Sequence, residues 1–126
     1  LLVFPDYDGN GMFKSLGNIK ANPQVGLLFI AIGDKPKRLR VNGEASVHAD
    51  DALLSEFVGA QLMVRVRAKA IFPNCPRYIH KMQIIERSVY APCEGHTSPV
   101  PKWKQFPEFR EVLPPGDPAA DPPGGR

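Results

Sequence analysis

The residue types best suited to chemistry lie together in residues 4–23, which read FPDYDGNGMFKSLGNIKANP. Gly9 and Gly11 allow the backbone to turn with positive φ, and a helix predicted to follow them presents unpaired N–H groups and the positive end of its dipole. Lys14 and Ser15 add side-chain donors on the first turn of that helix. The pattern therefore predicts a site for an anion, and a phosphate-bearing ligand is the first candidate.

Two other interpretations fit the same loop. Asp6, Asp8 and Asn10, followed by Gly11, match the start of a calcium-binding loop, in which oxygen ligands occupy alternate positions. The twelfth position holds Gly17 where such a loop carries a bidentate Glu, so calcium is disfavoured. A plain Asn/Asp/Gly turn that joins a strand to a helix and binds nothing also fits these residues.

A second group of candidate residues lies further along the chain and consists of Cys75, His80, Cys93 and His96. Two thiols and two imidazoles are donors that zinc prefers, but their spacing is not that of a recognised zinc module. We therefore predict no metal site. A Cys/His nucleophile pair is also disfavoured, because nothing marks an oxyanion site or a third orienting group.

Two further features are compatible with binding. Arg65, Arg67 and Lys69 alternate with apolar residues along 61–72, which predicts a basic strand face for solvent, an anion or an acidic partner. Trp103 is the single tryptophan and lies between two lysines. It is suited either to packing against a planar ligand or, more simply, to fastening the C-terminal segment to the rest of the domain.

The elements that must position these residues are mainly strands. Periodicity predicts strands ending at residue 4 and spanning 25–32, 37–47, 61–72 and 82–91, and helices over 12–21, 49–57 and 107–113. Gly43 in the middle of the second complete strand predicts a bulge or the close approach of another backbone. The long apolar run before it predicts a strand that is buried on both faces.

Composition limits the class of protein. The chain has 126 residues, of which 43% are hydrophobic and 23% charged, as expected for one globular domain. A net charge of +3 suits a small anionic ligand and is too weak for a nucleic-acid binder. No run is long enough to span a membrane, and two cysteines favour a reducing cytoplasm. We expect a domain over 1–103 and a Pro/Gly-rich tail over 104–126. The start in mid-strand, without Met, suggests that N-terminal strands are missing.

Several sequence words together resemble one known family. The run FPDYDGNGMFKSLGNIKANPQVGLLFIAIGDKPKRLRVNGEA and the later FPNCPRYIHK resemble the pyridoxamine 5′-phosphate oxidase-related, FMN-binding split-barrel family. The words DGNG, GNI and CPRYIH are shared with an uncharacterised branch of it, and the resemblance extends to about Trp103. It implies a mainly β fold, an antiparallel split barrel with short helices, which forms a homodimer with two FMN molecules in the grooves between subunits.

The resemblance also implies where the cofactor lies. Phe4 and Pro5 would run beside the flavin through backbone contacts. Asn10, Lys14 and Ser15 would meet the ribityl phosphate.

The flavin ring is expected further along the chain. Arg38 would lie against the isoalloxazine, where a cation stabilises the anionic reduced form, and Arg40 would be next to it. The CPRYIH word would lie near the pocket without an assigned role.

The implied activity is that of an FMN-dependent oxidoreductase acting on a small molecule, with unknown catalytic residues. The oxidases of this family recognise pyridoxal phosphate through a C-terminal motif that contains Trp and Arg. That motif is not found around Trp103, so the resemblance does not imply vitamin B6 oxidation. The alternative is a carrier module that binds a flavin, a deazaflavin or haem without turnover. The deazaflavin F420 is the alternative cofactor within the enzyme class.

Overall fold

One antiparallel sheet forms the frame of the molecule, in a computed structural model that describes residues 1–120. The strands are β1 (Leu2–Tyr7), β2 (Gln24–Ala31), β3 (Lys37–His48) and β4 (Ala60–Asn74), in the spatial order β1-β4-β3-β2. The helices are α1 (Lys14–Ala21) and short 3-10 helices at Leu54–Glu56, Lys102–Gln105 and Pro107–Val112. The sheet curls into a half-barrel, so the prediction of a mainly β, antiparallel split barrel with short helices is confirmed.

The core lies on the face of the sheet that α1 covers. Ala45, Val64 and Val66 are buried there, on the two central strands. Leu16 and Ile19 of α1 pack against them, as do Leu2, Val25 and Leu27 of the outer strands. The three-residue spacing of the two helix residues places both on one side of α1, so the helix stays against the sheet with its N-terminus beside the end of β1.

A bulge interrupts the pairing of the central strands, as the glycine in β3 predicted. Asn42 pairs with Ala70 while Gly43 pairs with Ala68, so β4 contains one extra residue at this point. A Cβ at Gly43 would clash with the carbonyl oxygen of Arg67, which shows how closely the two backbones approach. The bulge also moves the later part of β4 to the opposite face. A regular alternation over 61–72 predicts Ala68 and Ala70 on one face; this prediction is wrong, because they pair with adjacent residues of β3 and lie on opposite faces.

Two predicted elements are corrected. Residues 82–91 form no strand: the adjacent Ile84 and Ile85 are 78% and 91% exposed, and no strand among residues 1–120 lies beside them. Residues 49–57 form only the 3-10 turn at Leu54–Glu56. The Asp51 carboxylate accepts a hydrogen bond from the amide of Leu53 at 3.0 Å and another from Arg65 at 2.8 Å, which holds a tight turn in place of an α-helix.

The C-terminal segment packs against the end of β1 through buried charges. Lys104 is 1% exposed and Asp117 5% exposed. Pro114 lies close to Gly11: a Cβ atom added at Gly11 would come within 2.9 Å of the proline ring. These residues belong to the stretch predicted as a tail, whose last part, 121–126, lies outside the described residues. No helix among residues 1–120 is long and apolar enough to cross a membrane.

Candidate functional site

A small cavity lies where the loop after β1 meets the first turn of α1. It encloses about 260 Å³, and its wall includes Asn10, Lys14 and Ser15. No side chain within residues 1–120 caps the N-terminus of α1, and its first turn holds no acidic residue. The first-turn amides, the Lys14 ammonium and the Ser15 hydroxyl therefore border one space that suits an anion.

The chain enters this helix through a strained residue. Phe13 has φ 48° and ψ 34°, the left-handed conformation that a bulky side chain rarely adopts. Gly11, two residues earlier, has φ 71°. The Asn10 side chain accepts a hydrogen bond from the amide of Met12 at 3.1 Å and fixes the turn between them. Such strain is common where a backbone is shaped around a ligand.

Asp6 also borders this cavity, and one of its carboxylate oxygens accepts no hydrogen bond from the described residues. Its Oδ2 atom is buried and has no hydrogen-bond partner within residues 1–120. Burial raises the pKa of this carboxyl above its ordinary value. A ligand carrying a hydroxyl group would satisfy the unpaired oxygen. Phe4 and Pro5, which precede Asp6 on β1, pair with Val64 and Met63 of β4.

Arg38 and Arg40 lie at the other end of the sheet. Arg38 pairs with Asn74 at the end of β4, and Arg40 Nε donates a hydrogen bond to the Asn74 side chain. The Nε atom of Arg38 is buried without a partner among the described residues. Beside it, hydrogen bonds from the backbone and side chain of Arg77 lower the pKa of the exposed Cys75 thiol, with a smaller contribution from Arg38.

The predicted site residues therefore fall into two groups. Phe4 pairs with Val64 and Arg38 with Asn74, ten residues apart on β4. At about 3.3 Å per residue this separates the groups by roughly 30 Å along the strand. One chain brings Asn10, Lys14 and Ser15 to one cavity but does not bring Arg38 or Arg40 to it.

A larger cavity, which the sequence did not predict, lies on the other side of the same loop. It encloses about 660 Å³ and is bordered by the end of β1, loop 8–10 and the segment that carries Tyr90 and Trp103. The Trp103 ring meets the edge of Phe109 with centroids 5.6 Å apart. Trp103 therefore packs within the C-terminal segment and also borders the cavity.

An ion triad of buried Lys104, buried Asp117 and partly exposed Asp8 forms one wall of this larger cavity. Lys104 Nζ donates to both carboxylate oxygens of Asp8 at 2.6 and 2.8 Å and to Asp117 Oδ2 at 2.6 Å. Burial alone would lower the pKa of Lys104, but the two carboxylates raise it above the ordinary value. Burial alone would raise the pKa of Asp117, yet hydrogen bonds from Lys104 and the Ala119 amide lower it. Local sequence gives no signal for this triad, because Asp8 and Lys104 are 96 residues apart.

The remaining candidate residues are the cysteines and histidines and the basic strand. The His96 ring is hydrogen-bonded to the Val89 carbonyl at 2.8 Å, and no group of three metal-ligating side chains occurs within residues 1–120.

On the basic strand, Arg67 and Lys69 both pair with Glu44, whose pKa falls to about 2 through their hydrogen bonds and that of Gln24. Arg65 pairs with Asp51, so the three cations of the predicted basic face meet two carboxylates within the chain.

Comparison with known proteins identifies the family. The family model described as pyridoxamine 5′-phosphate oxidase matches residues 2–90, which contain all four strands and α1. Neither the curated proteins nor the solved structures give a significant match. The family model covers more than half of the chain and agrees with the half-barrel described above. The chain therefore belongs to the pyridoxamine 5′-phosphate oxidase family, a family of flavin-binding split barrels.

Proposed function

We propose that this protein is an FMN-dependent oxidoreductase that works as a homodimer. The observation that carries the proposal is the small cavity at the uncapped N-terminus of α1, within the part of the chain that matches the family. Amides, an ammonium and a hydroxyl around a single space match the needs of a phosphate monoester.

The unpaired polar atoms fit the rest of the cofactor. Asp6 Oδ2 is an acceptor beside the phosphate cavity, where a ribityl hydroxyl would donate to it. Arg38 Nε is a donor without a partner among the described residues, and a flavin ring carries acceptors. When bound, FMN supplies hydride and electron transfer, while these side chains hold and orient it. The cation of Arg38 would stabilise negative charge on the ring.

Two copies of the chain would resolve the separation between these groups. Large apolar side chains around Arg38 and Arg40 are exposed on both faces of the sheet, including Leu28 at 46%, Phe29 at 45% and Ile71 at 63%. Exposed apolar surface of this kind favours association. A two-fold dimer would cover it and would place the arginines of one copy beside the phosphate loop of the other.

The first test is a visible absorption spectrum of the protein after incubation with FMN and dialysis. We expect a retained flavin band, and we expect Lys14→Ala to weaken FMN binding about tenfold through loss of a charged hydrogen bond. Lys20→Ala is the matched control, since Lys20 lies in the last turn of the same helix. Equal binding by both variants would contradict the placement of the phosphate.

Turnover separates an enzyme from a carrier. The flavin-loaded protein is mixed anaerobically with a reduced pyridine nucleotide and then exposed to oxygen. Bleaching and recovery of the flavin band support an oxidoreductase, whereas bound flavin that does not cycle with this or other donors supports a carrier. A parallel titration with F420 tests the alternative cofactor, and binding of F420 in preference to FMN would overturn the assignment of FMN.

A further inference from the structure

The larger cavity is not explained by the flavin proposal. Its volume of about 660 Å³ lies in the usual range for small-molecule sites. Tyr7, Tyr90 and Trp103 contribute aromatic side chains to its wall, and several prolines add rigid apolar surface. Such a wall suits a planar ring, which can pack against aromatic side chains at little entropic cost.

The lysine in the wall does not make this an anion site. An ammonium group has three N–H donors, and Lys104 directs all three to carboxylate oxygens at 2.6–2.8 Å. A ligand anion would have to displace Asp8 or Asp117 from a side chain that is 1% exposed. In this respect the larger cavity differs from the small one, where Lys14 forms no ion pair among the described residues.

Because of its carboxylates, the larger cavity favours a cationic ligand over an anionic one. One cation and two carboxylates leave the triad with a formal charge of −1. The Asp117 side chain is 2% exposed, but the Asp8 side chain is 40% exposed and also borders the cavity. Asp8 oxygens retain lone pairs beyond those that face Lys104, so they can accept a further N–H bond.

We infer that the larger cavity binds an arylalkyl amine, in which the protonated nitrogen is separated from the ring by at least one CH₂ group, with the ring against Tyr90 and Trp103 and the ammonium toward Asp8. The site is separate from that of FMN, although Tyr7, Gly9 and Asn10 border both cavities. The separation of the two sites rests on the proposed placement of FMN in the small cavity, whereas binding of the amine itself does not require FMN.

The test uses the full chain labelled with ¹⁵N, and the reporter is the indole N–H signal of Trp103, the single tryptophan. Three probes share one ring system and differ in charge: 1-naphthylmethylamine, 1-naphthylmethanol and 1-naphthoate. We expect a saturable shift of the indole signal, with the amine binding at least about threefold more tightly than the carboxylate. The titration is repeated with FMN present, and unchanged affinities are expected.

Variants locate the binding. Tyr90→Ala should weaken binding of the amine about fivefold through loss of ring contact. Tyr78→Ala is the matched control, because Tyr78 is 87% exposed and does not border the cavity. The inference is overturned if none of the probes shifts the signal, if the carboxylate binds as tightly as the amine, if Tyr90→Ala and Tyr78→Ala bind equally, or if FMN competes with the probe.

Discussion

Asp6 and Arg38 are each chemically incomplete in the single chain. Each holds a buried polar atom without a partner among residues 1–120, and each lies where the proposed cofactor would supply one. A buried polar atom that lacks a hydrogen bond costs about 1–3 kcal/mol of stability. Such a cost is typical of a binding site, where groups are kept ready for a ligand at the expense of the free protein.

Asp6→Asn tests this cost through its pH dependence. Because the pKa of Asp6 is raised in the fold, its protonated form stabilises the protein below the ordinary value of 3.8, and that contribution is lost as pH rises through the folded pKa. The asparagine side chain does not ionise, so the variant keeps its stability as pH rises. We expect the variant to be more stable than the wild type at pH 7 by about 1 kcal/mol in urea unfolding, with the gain vanishing below about pH 4.

The control for this substitution is Asp34→Asn in the exposed turn between β2 and β3. It should leave the free energy of unfolding unchanged at both pH values. If Asp6 accepts a ribityl hydroxyl, Asp6→Asn also weakens FMN binding while it stabilises the free protein. A variant less stable at pH 7 than the wild type would refute the argument from burial.

At the scale of elements, the bulge between β3 and β4 decides which side chains share a face. Gly43→Ala would force a Cβ against the carbonyl oxygen of Arg67, so a strand must shift. We expect a loss of about 2 kcal/mol in urea unfolding, typical of overpacking against backbone. Gly26→Ala on the neighbouring β2 is the control, since its Cβ would meet only the Asn42 side chain at 3.4 Å. Equal losses in the two variants would contradict this role for the bulge.

Elements with a regular pattern were predictable from sequence. The continuous apolar run of β2, the glycine in β3 and the alternation of β4 each reflect local packing, and all three strands were found. The expected burial of β2 on both faces is not seen in one chain, where Phe29 is 45% exposed. The loop and helix that hold Lys14 and Ser15 were also predictable, because the turn preferences of Asn, Asp and Gly and the spacing of apolar helix residues act locally.

Long-range contacts were not predictable in this way. The strand expected at 82–91 rested on a short apolar pair, and without a neighbouring strand such a pair has no reason to become extended. The larger cavity depends on Asp8, Lys104 and Asp117 meeting across the fold. From sequence alone, charged residues in a Pro-rich segment are expected to be exposed to solvent. Only the tertiary fold shows that Lys104 and Asp117 are buried.

At the scale of the whole molecule, the ion triad holds the C-terminal segment against loop 8–10. Lys104→Met would leave Asp117 buried without its cation, at a cost of about 3 kcal/mol. Lys102→Met is the control, because Lys102 is exposed in the same 3-10 helix. We expect only Lys104→Met to speed proteolysis of the segment and to lower the urea midpoint. Equal behaviour of the two variants would show that the triad does not hold the segment.

The triad also predicts a window of pH. Because the pKa of Asp117 is lowered in the fold, its carboxylate stabilises the folded protein at pH values above the ordinary pKa of 3.8. This stabilisation is lost as pH falls through the pKa of the folded state. The raised pKa of Lys104 means that its contribution is present below 10.5 and is lost as pH rises through the folded value. Protection of the segment from proteolysis should therefore be greatest between about pH 4 and pH 10.5.

The proposed dimer places the two halves of each flavin site on different chains, and mixing variants tests this directly. Lys14→Glu and Arg38→Glu should each abolish FMN binding alone. When the two are unfolded and refolded together, half of the dimers are mixed, and each mixed dimer has one site with both native side chains. We expect about one quarter of the wild-type FMN capacity by absorption after dialysis.

The reciprocal mixture sharpens the test. Wild type refolded with the double variant Lys14→Glu/Arg38→Glu gives mixed dimers in which each site carries one defect. If each site spans two chains, only wild-type dimers bind, and the capacity is about one quarter of that of wild type. If each site lies within one chain, every wild-type subunit binds and the capacity is about one half, which would exclude a site shared between copies.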